Sequence, residues 1–394
     1  MCFDNSSTSQ CLNGGYCSLN DTCICASACF VGNFCEINYN AVRLPLTGAI
    51  IQDISAGRDF YIAFFFLLGF CGLINNALSL ITFIREQIRL TICGLYLILF
   101  SIFGIGLTLT IFTYIATIFC YKNQIYQYIA CYYIPFIAVA LNDGAFLFTT
   151  AIAIERIISD CCNLNIQRRR TRGLFVSIII IVYVCCSNID EIFLRRISTD
   201  PIGNKICVYD FERYPTWRRI DIVFSYTHVI IPCVIHFICS VYVLTIIARR
   251  KIFIRGIENR FFHVWCEQLR INRDFFIPPI CLIFCILPHG ILGHLLQTCI
   301  PYSDKSKLRL HILFVVLLFV PQMLSFILYV CPNQKYWKEF RCTIVYRKVC
   351  SNFCHRQQRL QQQNDTELQR EQIRMSVYFI NETSSANEQM DTTI

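Results

Sequence analysis

Cys131 and Glu155-Arg156 close the two ends of one apolar run, CYYIPFIAVALNDGAFLFTTAIAIER, 25 residues apart. A thiol at one end of such a run takes a disulfide partner if that end faces an oxidising compartment. An arginine at the other end needs water or an anion, and adjacent Glu155 can hold it. The plain alternative is an arginine that snorkels to lipid headgroups. Between them lies Asp143, beside Asn142 and 12 residues past the cysteine. A carboxylate at that depth has to be protonated, paired or turned to water. It therefore lines a polar cavity or makes a structural hydrogen bond. His228, His236 and His289 are its possible partners. No phosphate-binding loop, H-E-x-x-H or G-x-S-x-G occurs, so no enzyme, cofactor or metal is expected.

A helix of 25 residues is about 37 Å long, slightly more than the roughly 30 Å hydrocarbon core of a bilayer. One helix can therefore hold the cysteine at one membrane face and the acid–arginine pair at the other. The whole chain suits that reading. Its 394 residues are 55% hydrophobic and only 15% charged, with mean hydropathy +0.49, whereas soluble domains carry about a quarter charged residues. Seven apolar runs are each long enough to span, at about 60–83, 92–117, 131–154, 173–194, 221–248, 275–299 and 311–331. The expected fold is an all-α membrane protein, a seven-transmembrane helix bundle with a small disulfide-rich module ahead of it. An odd number of spans puts the termini on opposite sides. The net charge of +9 reads as basic residues on the cytoplasmic side, not as nucleic-acid binding. The loop between spans four and five is unusually basic for an outer loop, so orientation rests on the N-terminal cysteines.

Those cysteines run Cys2, Cys11, Cys17, Cys23, Cys25, Cys35, with N-G-G before the third and G-x-x-C at the end. Six cysteines allow fifteen connectivities, and so small a chain needs disulfides because it has almost no core. The pattern resembles an EGF-like module, which implies the pairs Cys2–Cys17, Cys11–Cys23 and Cys25–Cys35. Cys29 is a seventh cysteine, expected either free or bonded to the membrane domain. Asn5 and Asn20 head glycosylation sequons and place this end outside the cell. No cleavable signal peptide is visible; either the first span exports the N-terminus or the sequence begins late. The expected domains are 1–36 for the module, 37–59 for a linker, 60–343 for the bundle with a surface helix, and 344–394 for a disordered cytoplasmic tail. The surface helix is the amphipathic Tyr336-Trp337-Lys338-Glu339-Phe340. Cys342, Cys350 and Cys354 after it are palmitoylation candidates. Tail Ser and Thr suit phosphorylation for arrestin, and Thr392-Thr393-Ile394 resembles a PDZ-binding end.

Residues 60–343 resemble a rhodopsin-like (class A) G-protein-coupled receptor. Asn76 matches the family's span-one asparagine, Cys131 the cysteine at the top of span three, and Cys207 its disulfide partner in the second outer loop. Glu155-Arg156-Ile157 corresponds to D/E-R-Y, Pro232 to the span-five proline, Cys285-Ile286-Leu287-Pro288 to C-W-x-P, and Tyr329 to the tyrosine closing span seven. The resemblance implies that Arg156 is released on activation and faces a heterotrimeric G-protein, with help from the RRRTR loop and the loop 249–273. It also implies that His289, just after Pro288, lies where the family contacts ligand. Departures are equally specific. The family's sodium-binding aspartate falls on Gly104, the tryptophan of C-W-x-P on Ile286, and Asn-Pro of span seven on Ser325-Phe326, with Pro321 one turn earlier. Sodium modulation is not expected, and Asp143 is a candidate replacement hub. Amines and retinal are disfavoured because their anchoring residues fall on Ala138 and Phe319. The charged loop 195–219 suits an extracellular peptide-like ligand. The expected function is plasma-membrane transduction of that ligand to a G-protein. The alternative is a non-signalling adhesion protein that uses the bundle as an anchor in membrane lipid.

Overall fold

The computed structural model describes residues 11, 15–18, 23–25, 30–31, 35, 37–38, 58–119, 123–161, 166–199, 205–209, 214–255, 261–271, 276–290 and 305–348. The expectations on Cys2, Asn5, Asn20, Cys29, the linker 39–57 and the tail 349–394 lie outside the described residues.

A backbone without water must satisfy its own N–H and C=O groups, so the long apolar runs become helices. These are α1 (Arg58–Phe83), α2 (Ile92–Phe119), α3 (Ile134–Cys161), α4 (Ile166–Ser187) and α5 (Pro215–Arg255). Five stretches are long and apolar enough to cross a membrane: Asp59–Phe83, Ile92–Ala116, Gln124–Ile158, Arg170–Phe193 and Tyr226–Phe253. They mark a membrane protein. After α6 (Phe261–Ile271), α7 (Ile277–Gly290) and α8 (Lys305–Met323) contain shorter apolar segments, Ile277–Pro288 and Ile312–Met323. The apolar run expected at about 311–331 is helical for most of its length but changes spacing near its end. Pro321 inside α8 has no N–H to donate, α8 ends at Met323, and a π-turn takes Phe326–Val330. The amphipathic α9 (Gln334–Arg341) follows. The Asn333 side chain starts it, accepting from the Lys335 N–H at 3.0 Å and the Tyr336 N–H at 3.1 Å.

α3 is the axis of the assembly. Its apolar window is 67% buried, against 28% for that of α1 and 33% for that of α4. It packs on α2, α4, α5 and α8, while α1 touches α2 and α8, α5 touches α7, and α7 touches α8. With lipid outside, helices adhere through close packing more than through a hydrophobic drive. Gly144 shows this on α3: a Cβ there would overlap the Phe103 ring of α2. An apolar cluster of Tyr61, Phe65, Leu107, Ile111, Phe319 and Met323 fills the α1–α2–α8 side.

The strands form short antiparallel hairpins. Tyr16–Cys17 (β1) pairs with Cys23–Ile24 (β2), and Phe30–Val31 (β3) with Ile37–Asn38 (β4). Two-residue strands cannot stand alone. Here Cys11 is bonded to Cys23 and Cys25 to Cys35, and Cys17 is also in a disulfide. Between α4 and α5, Arg195–Thr199 (β5) pairs with Lys205–Tyr209 (β6), Ile197 facing Cys207.

Candidate functional site

At one end of α3 a π-turn, Ile129–Tyr133, presents Cys131. The Cys131–Cys207 disulfide joins that turn to β6. The β5–β6 hairpin is tied a second time. Arg195 at the start of β5 pairs with Glu191, Nε donating to Oε2 at 2.8 Å, and both residues are buried. Arg195, one charge of that loop, is thus spent on an internal pair. Its carboxylate partner stands four residues earlier, an ordinary helical pairing distance. Arg196 and Arg219 remain exposed.

The middle of α3 carries the densest polar contact of the bundle. Asp143 Oδ2 lies 2.8 Å from His228 Nδ1 on α5 and accepts from Asn188 Nδ2 at 3.2 Å. The other ring nitrogen of His228, Nε2, is 3.0 Å from the Tyr183 hydroxyl on α4. Asp143, Asn188 and His228 are all buried. Of the options open to a mid-membrane carboxylate, the structure takes pairing, with three helices contributing. His228 was in view from sequence; Asn188 and Tyr183 were not. Asn142, the next residue on α3, faces the other way: its amide meets that of Gln322 on α8 at 3.0 Å. Asn76 on α1 donates to the carbonyls of Gly72 at 2.9 Å and Gln322 at 3.0 Å. Its Oδ1 is buried without a hydrogen-bond partner. A Cβ on Gly104 would overlap this amide. Asn76 thus occupies the space that a side chain at position 104 would need. One turn along α1, the Ser79 and Ser325 hydroxyls meet at 2.9 Å.

At the opposite end of α3, Glu155 is engaged by Arg172 of α4, whose Nη2 donates to Oε1 at 2.8 Å and Oε2 at 2.7 Å. Glu155, expected to hold its neighbour Arg156, also takes a second helix's arginine. Arg172 had been one of several arginines in a basic cluster, with nothing in its spacing to single it out. Arg156 lines a cavity between α3, α5 and α7 together with Ser240, Pro278 and Tyr329. Tyr329 sits in the second π-turn and stands edge-on to Phe100, ring centroids 5.2 Å apart. Phe83 against Tyr336 and Phe326 against Trp337 seat the start of α9.

Pro232 is buried inside α5, and Pro288 lies inside α7. His289 follows within α7, with its side chain outside the described residues. Among the described residues no group of three His, Cys, Asp or Glu could hold a metal. The arrangement offers a covalently pinned hairpin at one end, an acid–histidine hub in the middle of α3 and an arginine-lined cavity at the other end. Neither a scan against protein-family models nor a search of curated proteins finds a match for this chain.

Proposed function

We propose that the chain is a divergent rhodopsin-like receptor that transduces an extracellular peptide-like ligand to a heterotrimeric G-protein. The five long helices together with α7 and α8 make its seven spans. The hairpins β1–β4 and their disulfides belong to an EGF-like module outside the plasma membrane, and α9 lies on the cytoplasmic surface. One observation carries the reading: a single helix is cross-linked to a hairpin at Cys131 and delivers Arg156, 25 residues on, into a cavity walled by α3, α5 and α7. A ligand that shifts the hairpin acts on the end of the same rigid element that presents the arginine. Population of a second arrangement, not deformation of the helix, then transmits the change. Exposed Arg196 and Arg219 suit acidic groups of a peptide.

The test is G-protein activation in cells expressing the full chain, against Arg156→Ala. Basal and peptide-driven signals are expected to fall at least tenfold with surface level unchanged. Absence of any signal, or a signal indifferent to Arg156, overturns the receptor reading in favour of an adhesion protein. Cys131→Ala is expected to abolish surface expression or ligand binding.

A further inference from the structure

Two free thiols of α7 touch. Cys281 and Cys285 stand one helical turn apart, and their Sγ atoms are 4.0 Å from one another. Cys285 is buried and Cys281 half-buried, whereas the free cysteines Cys71, Cys185, Cys266 and Cys331 are exposed. The cavities beside α3 and α5 are lined from α7 by Pro278, Pro279, Leu282 and Ile286, so the thiol pair stands on another flank of the helix. A disulfide between successive turns of one helix fits poorly. Cβ atoms there are about 5–6 Å apart, against about 3.5–4.5 Å in a disulfide. What suits the pair is a bridge longer than a sulfur–sulfur bond.

We infer that Cys281 and Cys285 form a two-thiolate site for a soft monovalent metal ion, Cu(I). Metal–thiolate bonds are about 2.3 Å long, so two sulfurs on one ion stand at most about 4.6 Å apart. The 4.0 Å between these sulfurs is within that reach before any metal enters. A small rotation about χ1 brings the pair to the near-linear arrangement that Cu(I) accepts. The ligand set selects the ion. Thiolates favour Cu(I) and zinc over hard cations. Structural zinc takes four ligands, and among the described residues no group of three His, Cys, Asp or Glu could supply them. Two sulfurs alone therefore suit Cu(I), which binds stably through two. Binding breaks two S–H bonds and forms two Cu–S bonds; two protons leave to solvent and no electron moves. The complex carries one negative charge, which hydrocarbon resists. Arg156 offsets it, lining a cavity together with Pro278 and Pro279, both within one turn of Cys281. The site needs no G-protein and stands apart from the receptor reading.

The full chain in lipid nanodiscs is loaded with Cu(I) under argon and washed with the Cu(I) chelator bicinchoninate, which strips lone thiols. Retained copper is then counted by atomic absorption. Cys281→Ser and Cys285→Ala are each expected to lose about one copper equivalent, and the double variant no more than either, since the two thiols share one ion. Cys71→Ser, which removes an exposed lone thiol, retains the native amount. Loading with zinc instead shows no difference between the native chain and Cys281→Ser. An intact Cys131–Cys207 disulfide and an unchanged metal-free Tm verify the fold of each variant. Native copper retention in either single variant overturns the site, as does a native chain that retains none. Losses that add in the double variant assign the thiols to separate adventitious sites and overturn it too. Zinc retention that depends on Cys281 overturns the choice of ion. Because no G-protein enters the assay, a failed Arg156→Ala experiment leaves this result standing.

Discussion

The α1–α2–α8 flank and the α3–α4–α5 flank bury polar atoms in opposite ways. On the first, the deep contacts of Asn76, Gln322 and Ser79 are between neutral groups: the Asn76 amide on two carbonyls, Gln322 against Asn142, Ser79 against Ser325. On the second, an acid meets a histidine in mid-bundle and another acid meets an arginine near the end of α3. Neutral amides and hydroxyls can find substitute partners on nearby backbone, so such contacts are individually weak in membranes, about 0.6 kcal/mol on average. A buried carboxylate has no such freedom. Losing its partner leaves a charge in a low dielectric, at about 3–5 kcal/mol. The bundle therefore has a forgiving side and an unforgiving one, and a mechanism that needs two discrete states has its lever on the latter.

Four substitutions break or sharpen this contrast. Asp143→Ala is expected to do most, lowering stability by about 3–5 kcal/mol because His228 and Asn188 lose their shared acceptor. Thermal unfolding in detergent would read it, and an effect no larger than that of Asn142→Leu would erase the distinction. Next comes Gly104→Ala, at about 1–3 kcal/mol, since the new methyl lands on the Asn76 amide. The double variant Gly104→Ala/Asn76→Ala should recover most of the lost Tm. Ser79→Ala should cost about 0.6 kcal/mol, and a double-mutant cycle with Ser325→Ala should give less coupling than the Asp143–His228 cycle. Smallest in stability is Arg172→Gln, about 0.5 kcal/mol, because the arginine is 34% exposed and solvent screens the pair. Its effect on basal G-protein signal is expected to exceed its effect on Tm, since Glu155 is left beside Arg156.

The forgiving side was the harder one to read in the sequence. Run length announced the long helices, because a helix must be long and apolar to cross lipid and little else mimics that pattern. Asp143 declared itself by being an acid in such a run, and His228 was a possible partner. Asn188 and Tyr183 gave no such warning: polar residues near the end of an apolar stretch are ordinary at an interface. Gln322 was hidden for a different reason. Its bond to Asn142 joins positions 180 residues apart, and no periodicity encodes which faces of two distant helices will meet. Position 104 was legible as a departure from the receptor pattern, but not the fact that Asn76 fills the space. The ends of α8 were also obscure, since composition does not show where Pro321 makes the backbone leave α-helical spacing.

The π-turn at Ile129–Tyr133 has a consequence for what insertions and deletions this chain can bear. Its closing bond runs from the Ile134 N–H to the Ile129 carbonyl, one residue wider than an α-helical turn. One residue is about 100° of helical rotation. The turn therefore sets the azimuth of Cys131 independently of the face that α3 offers to its neighbours below. A single-residue deletion there would restore regular helix and swing the thiol about a quarter-turn from Cys207 while Asp143 and Arg156 kept their places. The bundle would still assemble, and the hairpin would have nothing covalent to hold.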